Sequence, residues 1–164
     1  MTFTLARFTA ATETTHRFGE QMHLQLGFAF PVLILLSPDI QAEAIPLLGG
    51  KPGPAGTAAL RRRAIRVGAV AAAFTCESWV GHPSVSAQVM DRMAPQDLPL
   101  PADMPDRLEA VATTGVWPGA HATVHLLSII DRGEGGSRIR PPQQIPARDY
   151  GTNQWLESLL PVPR

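Results

Sequence analysis

Five consecutive apolar residues, Val-Leu-Ile-Leu-Leu at Val32–Leu36, constrain the fold more than any other feature of the chain. A strand without a polar face has to be covered on both sides, as the central strands of layered sheets are. The surrounding apolar stretch, residues 24–36, has thirteen residues and includes Gly27 and Pro31, whereas a bilayer-spanning helix needs about 20. Proline cannot donate to a strand ladder and is tolerated at a strand's start. We therefore predict a buried central strand that begins directly after Pro31.

Helical segments lie on either side of this strand in the sequence. Apolar residues recur at roughly helical spacing over residues 4–25, and Gly27 follows as a helix-ending residue. A second helix is predicted over residues 57–67, with Thr57 as its N-cap and Gly68 just past its end. Residues 69–78 form another apolar run of strand length. The order strand, helix, strand predicts a right-handed crossover between two parallel strands.

The second half of the chain alternates strand signals with segments rich in proline and glycine. Residues 79–105 contain five prolines and lack a steady periodicity, and a short helix is expected within residues 86–93. Strands are predicted over residues 108–114 and 122–130, joined by a hairpin at residues 115–119. Residues 131–164 are predicted to form an extended Gly/Pro-rich tail with a short C-terminal helix. We expect one domain over residues 1–130, an α/β (α+β) sandwich with a mixed four- to five-stranded sheet and two main helices.

Composition narrows the class of protein. Hydrophobic residues make up 45% of the 164 residues, which is enough for a core. The 14 Lys and Arg residues balance the 14 Asp and Glu residues, so no surplus of positive charge favours nucleic acid or an anionic membrane as partner. One cysteine cannot form an internal disulfide, and the first residues lack the pattern of a signal peptide. The cytoplasm is therefore the expected compartment, and no membrane contact is expected.

Two motifs resemble ligand sites but fail on their chemistry. A phosphate-binding loop needs inward N–H groups and a Ser or Thr directly after its lysine. In the Gly-rich residues 49–56, Pro52 follows Lys51, and Pro52 and Pro54 each remove a donor. The second predicted helix carries a basic cluster, Arg61, Arg62, Arg63 and Arg66. We interpret this cluster as a solvated helix face, with nucleic-acid binding as the weaker alternative.

Thiol and imidazole groups offer candidate nucleophiles and metal ligands. Cys76 with His82 is the pair that resembles a thiol nucleophile and its base. Cys76 alternates with apolar residues in a predicted strand, however, which is typical of a buried and inert cysteine. The histidine pairs are His121 with His125, on one strand face, and His16 with His23, a heptad apart on the first helix. Neither pair has a third ligand at a fitting spacing, so we predict no metal and no cofactor.

The predicted topology gathers one set of polar residues at an edge of the sheet. The carboxyl ends of parallel strands share an edge, and open α/β sheets bind ligands there. The residues expected at this edge are Asp39, Glu77, Ser78, Trp79 and His82, with Asp106, Arg107 and Glu109 added if the third strand returns antiparallel. We predict an ion pair between Glu77 and Arg107. Glu77, His82 and Arg107 are candidate catalytic residues, although a structural lock between the strands is the interpretation that we favour.

The same region resembles a known pattern. The stretch Phe-Thr-Cys-Glu-Ser-Trp that ends at Trp79, followed by Met-Pro-Asp-Arg-Leu-Glu at residues 104–109, is similar to uncharacterised bacterial and phage-encoded proteins. In those proteins a strand ends in Ser-Glu-Ala-Trp and a later strand begins with Pro-Asp-Arg-x-Glu. Here Cys76 and Ser78 replace the serine and the alanine. The resemblance covers about a third of the chain and implies no activity, but it singles out Glu77, Trp79, Asp106, Arg107 and Glu109.

These observations favour a non-catalytic protein-binding subunit or adaptor, a component of a larger bacterial or phage assembly. The expected partner is another protein or a second copy of the chain. The candidate partner-binding residues are Trp79, in the long proline-rich segment, and Trp155, Leu156, Leu159 and Leu160, on one face of the C-terminal helix. A helix that short needs a surface to bury its apolar face, and we expect an intermolecular contact to cover Trp155. The alternative is a small hydrolase or ligand-binding enzyme with a site at the sheet edge around Glu77.

Overall fold

A computed structural model of the chain describes residues 3–39, 41–80, 107–145 and 152–161. Within these residues three helices and a seven-stranded sheet form the fold. The helices are α1 (Leu5–Leu26), α2 (Pro54–Arg66) and α3 (Thr152–Leu159). The strands are β1 (Val32–Leu36), β2 (Ala42–Pro46), β3 (Ala71–Val80), β4 (Leu108–Trp117), β5 (Ala122–Gly133), β6 (Gly136–Ile139) and β7 (Gln143–Ile145). None of the described helices is long and apolar enough to cross a membrane.

The sheet is antiparallel between all of its paired strands. Its strand order is β2-β1-β3-β4-β5-β6, and β7 pairs with β5 beside β6. The expected combination of helices and sheet in an α+β fold is confirmed. The expected mixed sheet of four or five strands and two main helices is wrong in its details, because the sheet contains no parallel pair among the described strands and is larger than predicted.

The predicted parallel crossover is the main topological error. β1 and β3 are antiparallel, with Val32 opposite Thr75 and Leu36 opposite Ala71. The reason is β2, which follows β1 directly and reverses the chain before α2 begins. The end of β1 therefore lies beside the start of β3, and Asp39, which follows β1, is at the opposite end of the sheet from Glu77.

Helix α1 covers one face of the sheet. Its N-cap Thr4 accepts a hydrogen bond from the Arg7 N–H at its side-chain oxygen, and Gly27 ends the helix at φ 81°, which glycine adopts at little cost. The helix lies very close to β3, because a Cβ on Gly19 would come within 2.6 Å of the Thr75 hydroxyl oxygen. The first core lies below it and includes Phe8, Met22, Val32, Ile34, Leu36, Ala73 and Val111.

Helices α2 and α3 cover the other face. Helix α2 begins at Pro54, earlier than predicted, with Gly53 as its N-cap, so Thr57 lies inside the helix. The Thr57 hydroxyl group donates to the Pro52 carbonyl at 3.2 Å, and its oxygen accepts from the Trp155 indole N–H at 3.3 Å. The second core includes Leu33, Leu35, Leu60, Ala64, Val116, Trp155, Leu156, Leu159 and Leu160. β1 is thus apolar on both faces because each face meets a different helical layer.

The C-terminal segment belongs to the domain. Residues 131–133 continue β5, and β6 and β7 extend the sheet where a tail was expected. The predicted short C-terminal helix is confirmed as α3, but it docks on its own chain. Trp155 is 7% exposed there, with its ring edge-on to Phe74 at 5.5 Å. The expectation that an intermolecular contact buries Trp155 is therefore corrected.

Candidate functional site

A seam of polar side chains runs between α1 and the sheet, inside the first core. The two ring nitrogens of His16 contact the hydroxyl groups of Thr113 on β4, at 2.9 Å, and Ser128 on β5, at 2.8 Å. The Thr113 hydroxyl donates to that of Thr75 on β3 at 2.8 Å, and Ser128 donates to Glu20 Oε1 at 2.6 Å. One histidine thereby connects the helix to two strands, and its hydrogen bonds continue to a third.

The seam contains a serine, a histidine and a glutamate, but it does not have the geometry of a catalytic triad. In a triad the carboxylate orients the histidine through the nitrogen that faces away from the serine, whereas here Glu20 contacts the serine. Ser128 has no exposed surface and His16 is 1% exposed, so a substrate cannot reach either. Burial lowers the pKa of His16, against the opposing effect of Glu20. We interpret the seam as a structural network that fixes α1 on the sheet.

A charge cluster continues the seam at the C-terminal end of α1. Glu77 Oε2 accepts hydrogen bonds from His23 Nδ1 at 2.8 Å and from the Ala29 N–H at 2.9 Å. Glu77 Oε1 accepts from Arg132 at 3.1 Å, and Arg132 also binds both carboxylate oxygens of Glu109. The hydrogen bonds of the Arg132 guanidinium hold the pKa of Glu109 at about 2 and raise that of Arg132 itself. The cluster connects α1, β3, β4 and β5.

His23 within this cluster has a fixed proton. An ionised carboxylate only accepts hydrogen bonds, so the Nδ1 atom that contacts Glu77 carries the hydrogen. The other ring nitrogen, His23 Nε2, is buried and has no hydrogen-bond partner among the described residues. The imidazole has no exposed surface. It is oriented as a catalytic base would be, but it has no access to solvent in this structure.

The edge predicted around Glu77 is present in part. β3 and β4 are antiparallel with Trp79 opposite Glu109, so Glu109 lies at the same edge as Glu77, as expected for an antiparallel return. The cation on Glu77 in the described contacts is Arg132, while the guanidinium of Arg107 lies 4.9 Å from the centre of the Trp79 ring. The Glu77–Arg107 ion pair stays a prediction. His82 and Asp106 lie outside the described residues.

The predicted partner-binding residues separate into two groups. Trp79 keeps 45% of its surface exposed at the end of β3. Trp155, Leu156, Leu159 and Leu160 are buried in the second core, so in this structure they are not available to a partner. Sequence reasoning identified the apolar face of the C-terminal helix correctly, but it expected a partner to cover that face, whereas the second core of the same chain covers it.

The remaining predicted candidates are structural in their contacts. Burial, followed by the neighbouring Glu77 charge, raises the pKa of the Cys76 thiol to about 11, which disfavours the nucleophilic thiolate. His125 on β5 contacts the hydroxyl group of Thr114 on β4 at 3.0 Å. His121 lies in the turn before β5, with φ 48°. No group of three His, Cys, Asp or Glu residues with metal-site geometry occurs in the described part of the chain. Within the arginine cluster, Arg63 binds Glu43.

Sequence reasoning missed an apolar groove beside β2. The groove has a volume of about 500 Å³ and lies between α1 and the first two strands. Its walls are Arg7, Ala10, Ala11, Thr14, Thr15 and Phe18 on α1, and its floor is Ile34, Leu36, Ala42 and Ala44. Helix α1 packs mainly on β3, β4 and β5, which leaves this part of the sheet open. Phe18 lines the groove, but Leu5, Leu24 and Leu26 of α1 are exposed as well, so no signal in the sequence distinguished this part of the helix.

The groove is bounded by an open edge of the sheet. β2 is the last strand on its side, and within the described ranges no strand pairs with its outer edge. Four of its five residues are exposed or half-exposed, and Ile45 is the buried one. An open edge presents main-chain N–H and C=O groups to a further strand. Groove and edge together form a surface that we call the β2 surface, made of Phe18, Ile34, Leu36 and residues 42–46.

No protein-family model, curated protein or solved structure matches this chain. The resemblance in the segments ending at Trp79 and Glu109 therefore stays a prediction. The fold and the side-chain contacts are what a proposal about function rests on.

Proposed function

We propose that the protein is a non-catalytic protein-binding subunit or adaptor, and that it binds its partner through the β2 surface. The observation that carries this proposal is the combination of an open sheet edge with an apolar groove beside it. An edge strand supplies main-chain hydrogen bonds, and an adjoining groove supplies pockets for side chains, which is the arrangement used in recognition by strand addition.

The groove has the composition of a contact surface. Ile34 and Leu36 form its floor and Phe18 is 43% exposed on its wall. Exposed aromatic side chains next to apolar floors are favoured at the centres of protein interfaces. The charged residue that lines the groove is Arg7, so a partner that enters it buries apolar area with few charges to desolvate.

The polar clusters do not favour the alternative of a hydrolase at the Glu77 edge. Both carboxylate oxygens of Glu77 are occupied, by His23 and the Ala29 N–H on one side and by Arg132 on the other. A general base needs a free position within hydrogen-bond reach of its substrate. The contacts of Glu77 support the structural lock that the sequence already favoured.

The test is site-specific photocrosslinking in the cells that naturally produce the chain. A benzophenone amino acid is placed at Ala44, on the β2 surface, and as a matched control at the exposed Arg62 on α2, on the opposite face of the sheet. We expect an adduct of one defined mass from position 44 and none from position 62. The mass identifies the partner, and an adduct of twice the chain's mass identifies a second copy.

A second substitution tests whether the groove is responsible. Phe18→Asp places a charge on the exposed groove wall and should abolish the adduct at position 44 with an unchanged melting temperature. Equal crosslinking from positions 44 and 62, or an adduct that persists in Phe18→Asp, would contradict the proposal.

A further inference from the structure

The outer edge of β2 presents a defined set of hydrogen-bonding groups. The Ser37 N–H donates to the Gln41 carbonyl at 3.2 Å and the Leu47 N–H to the Pro31 carbonyl at 2.8 Å, on either side of the β1–β2 ladder. In an antiparallel pair, hydrogen-bonded positions alternate with positions that point away. The odd-numbered residues of β2 therefore face β1, and the N–H and C=O groups of Ala42 and Ala44 point outward.

The neighbouring strand confirms this alternation. Leu36, which is opposite Ala42, directs its carbonyl away from β2 and accepts the Val70 N–H at 2.8 Å. Pro46 would be the next outward position, but proline has no N–H. The open edge thus offers two N–H groups, at Ala42 and Ala44, and ends at Pro46. Its length suits a short strand and opposes unlimited edge-to-edge growth.

The side chains on β2 define what such a strand carries. Ala42 and Ala44 point into the groove, beside Ile34 and Leu36. Residues of an added strand that pair with Ala42 and Ala44 point to the same side of the sheet. They meet an apolar floor between α1 and β2, so apolar residues fit there.

On an added strand, the residue between those that pair with Ala42 and Ala44 lies opposite Glu43, on the face of the sheet that α2 covers. Glu43 Oε1 binds Arg63, whereas Glu43 Oε2 is buried and has no hydrogen-bond partner in the described ranges of the chain. In an antiparallel addition the residue opposite Glu43 is in a close, non-hydrogen-bonded pair, with Cα atoms about 4.5 Å apart. A donor at that position lies beside the Glu43 carboxylate and can supply the hydrogen bond that Oε2 lacks. An acidic residue is repelled by Glu43, and a cation by Arg63 and the other arginines of α2, so an uncharged donor remains.

We propose that the β2 surface binds an extended segment of a partner protein as an additional antiparallel strand, with the pattern apolar, Thr or Ser, apolar. This inference rests on the proposed function and specifies the partner's chemistry. The two apolar residues pair with Ala42 and Ala44, and the hydroxyl group donates to Glu43. A second copy of β2 fits poorly, because the register that satisfies Ala42 and Ala44 places Glu43 opposite Glu43.

The experiment is an NMR titration of the ¹⁵N-labelled protein with the peptide acetyl-Gly-Val-Thr-Val-Gly-amide. We expect saturable shifts of the Ala42 and Ala44 amide signals. The peptide with both valines N-methylated should give none, because it lacks the outward hydrogen bonds. The peptide with Val in place of Thr has the same shape without the hydroxyl and should bind about threefold to tenfold more weakly.

Matched variants locate the binding. Ala44→Pro removes one outward N–H without breaking the β1–β2 ladder and should lose peptide binding, while Ala44→Val should keep it. Glu43→Ala should bind the Thr and Val peptides equally. Melting temperatures verify that each variant is folded.

Two outcomes separate this inference from the proposed function. If the crosslink at position 44 forms but the peptide shifts neither Ala42 nor Ala44, strand addition is refuted and the protein-binding function stands. Equal shifts with the N-methylated peptide would also refute strand addition. If the crosslink fails as well, both proposals fall.

Discussion

Removing the Glu77 carboxylate is the most direct test of the charge cluster. In Glu77→Ala the Nδ1–H of the fully buried His23 and the Ala29 N–H both lose their acceptor. A buried donor left without a partner costs about 1–3 kcal/mol, so the two together cost about 2–6 kcal/mol. Arg132 is half exposed and keeps its ion pair with Glu109, so the loss of its contact with Glu77 adds little to this cost. We expect the free energy of unfolding to fall by about 3 kcal/mol.

Urea unfolding followed by circular dichroism measures this change. Glu77→Gln keeps one oxygen that accepts from His23 and Ala29, but it loses the charge and replaces the oxygen that accepts from the half-exposed Arg132 with an NH2 group. We therefore expect a smaller loss of about 1 kcal/mol. The matched control is Glu13→Ala, which removes an exposed ion pair with Arg17 and should change stability by less than about 0.5 kcal/mol. A Glu77→Ala loss as small as that of the control would refute the reasoning.

Three further predictions concern buried groups. Burial lowers the pKa of His16 and His125 below the ordinary 6.5. As the pH drops below 6.5, these histidines are therefore protonated in the unfolded chain before they are protonated in the folded protein. The free energy of unfolding should fall over this range, by at most about 1.4 kcal/mol per pH unit for each histidine. Urea titrations at about pH 7.5 and 5.5 measure the fall, and equal stabilities would contradict it. The pKa of the Cys76 thiol is raised to about 11 from 9.0, so near pH 8 the folded protein should contain about 100-fold less Cys76 thiolate than the unfolded chain. The rates of iodoacetamide labelling of folded and urea-unfolded protein measure this difference, and equal rates would contradict the prediction. Trp155→Ala should lower stability by about 3–5 kcal/mol without changing the mass measured by light scattering, whereas a loss of association at full stability would show that this residue contacts a partner.

The parts of the fold that the sequence predicted are those with strong local patterns. Helix α1 has apolar residues at roughly helical spacing and a glycine that ends it, and β1 is apolar on both faces. The hairpin of β4 and β5 has a Gly- and Pro-containing turn between two strand-forming runs. The placement of Glu109 at the same edge as Glu77 depended on a further expectation, that β4 returns antiparallel to β3, and the register of these two strands confirms it.

The error in topology has a specific origin in β2. Its sequence, Ala-Glu-Ala-Ile-Pro, has residues with low strand preference and a single buried side chain, Ile45. Such a strand is stabilised by the hydrogen bonds of its neighbour and by little else, so its own residues carry no strand signal. Missing it reversed the predicted direction of β3 relative to β1. The polar residues of β6 and β7 were assigned to a tail for the same reason.

The His23–Glu77 contact joins residues that are 54 positions apart, and nothing in their spacing indicates it. The helical side of this contact could nevertheless be recognised in the sequence. His16, Glu20 and His23 follow one another at intervals of four and three residues, which places them on one face of a helix. A polar stripe on the face that a helix turns toward a sheet indicates a buried network, but the strand residues that complete it depend on the long-range register.

The polar seam and the β2 surface are connected through the position of α1. His16 and His23 tie the helix to β3, β4 and β5, and Gly19 lets it lie against β3. A helix fixed there cannot also cover β1 and β2, so the groove is the space that the seam leaves open. Since buried hydrogen bonds hold that wall in place, the groove exists before any partner arrives. An added strand then loses its own conformational freedom but little of the protein's, and a preformed site of this kind binds more tightly than one that has to be ordered.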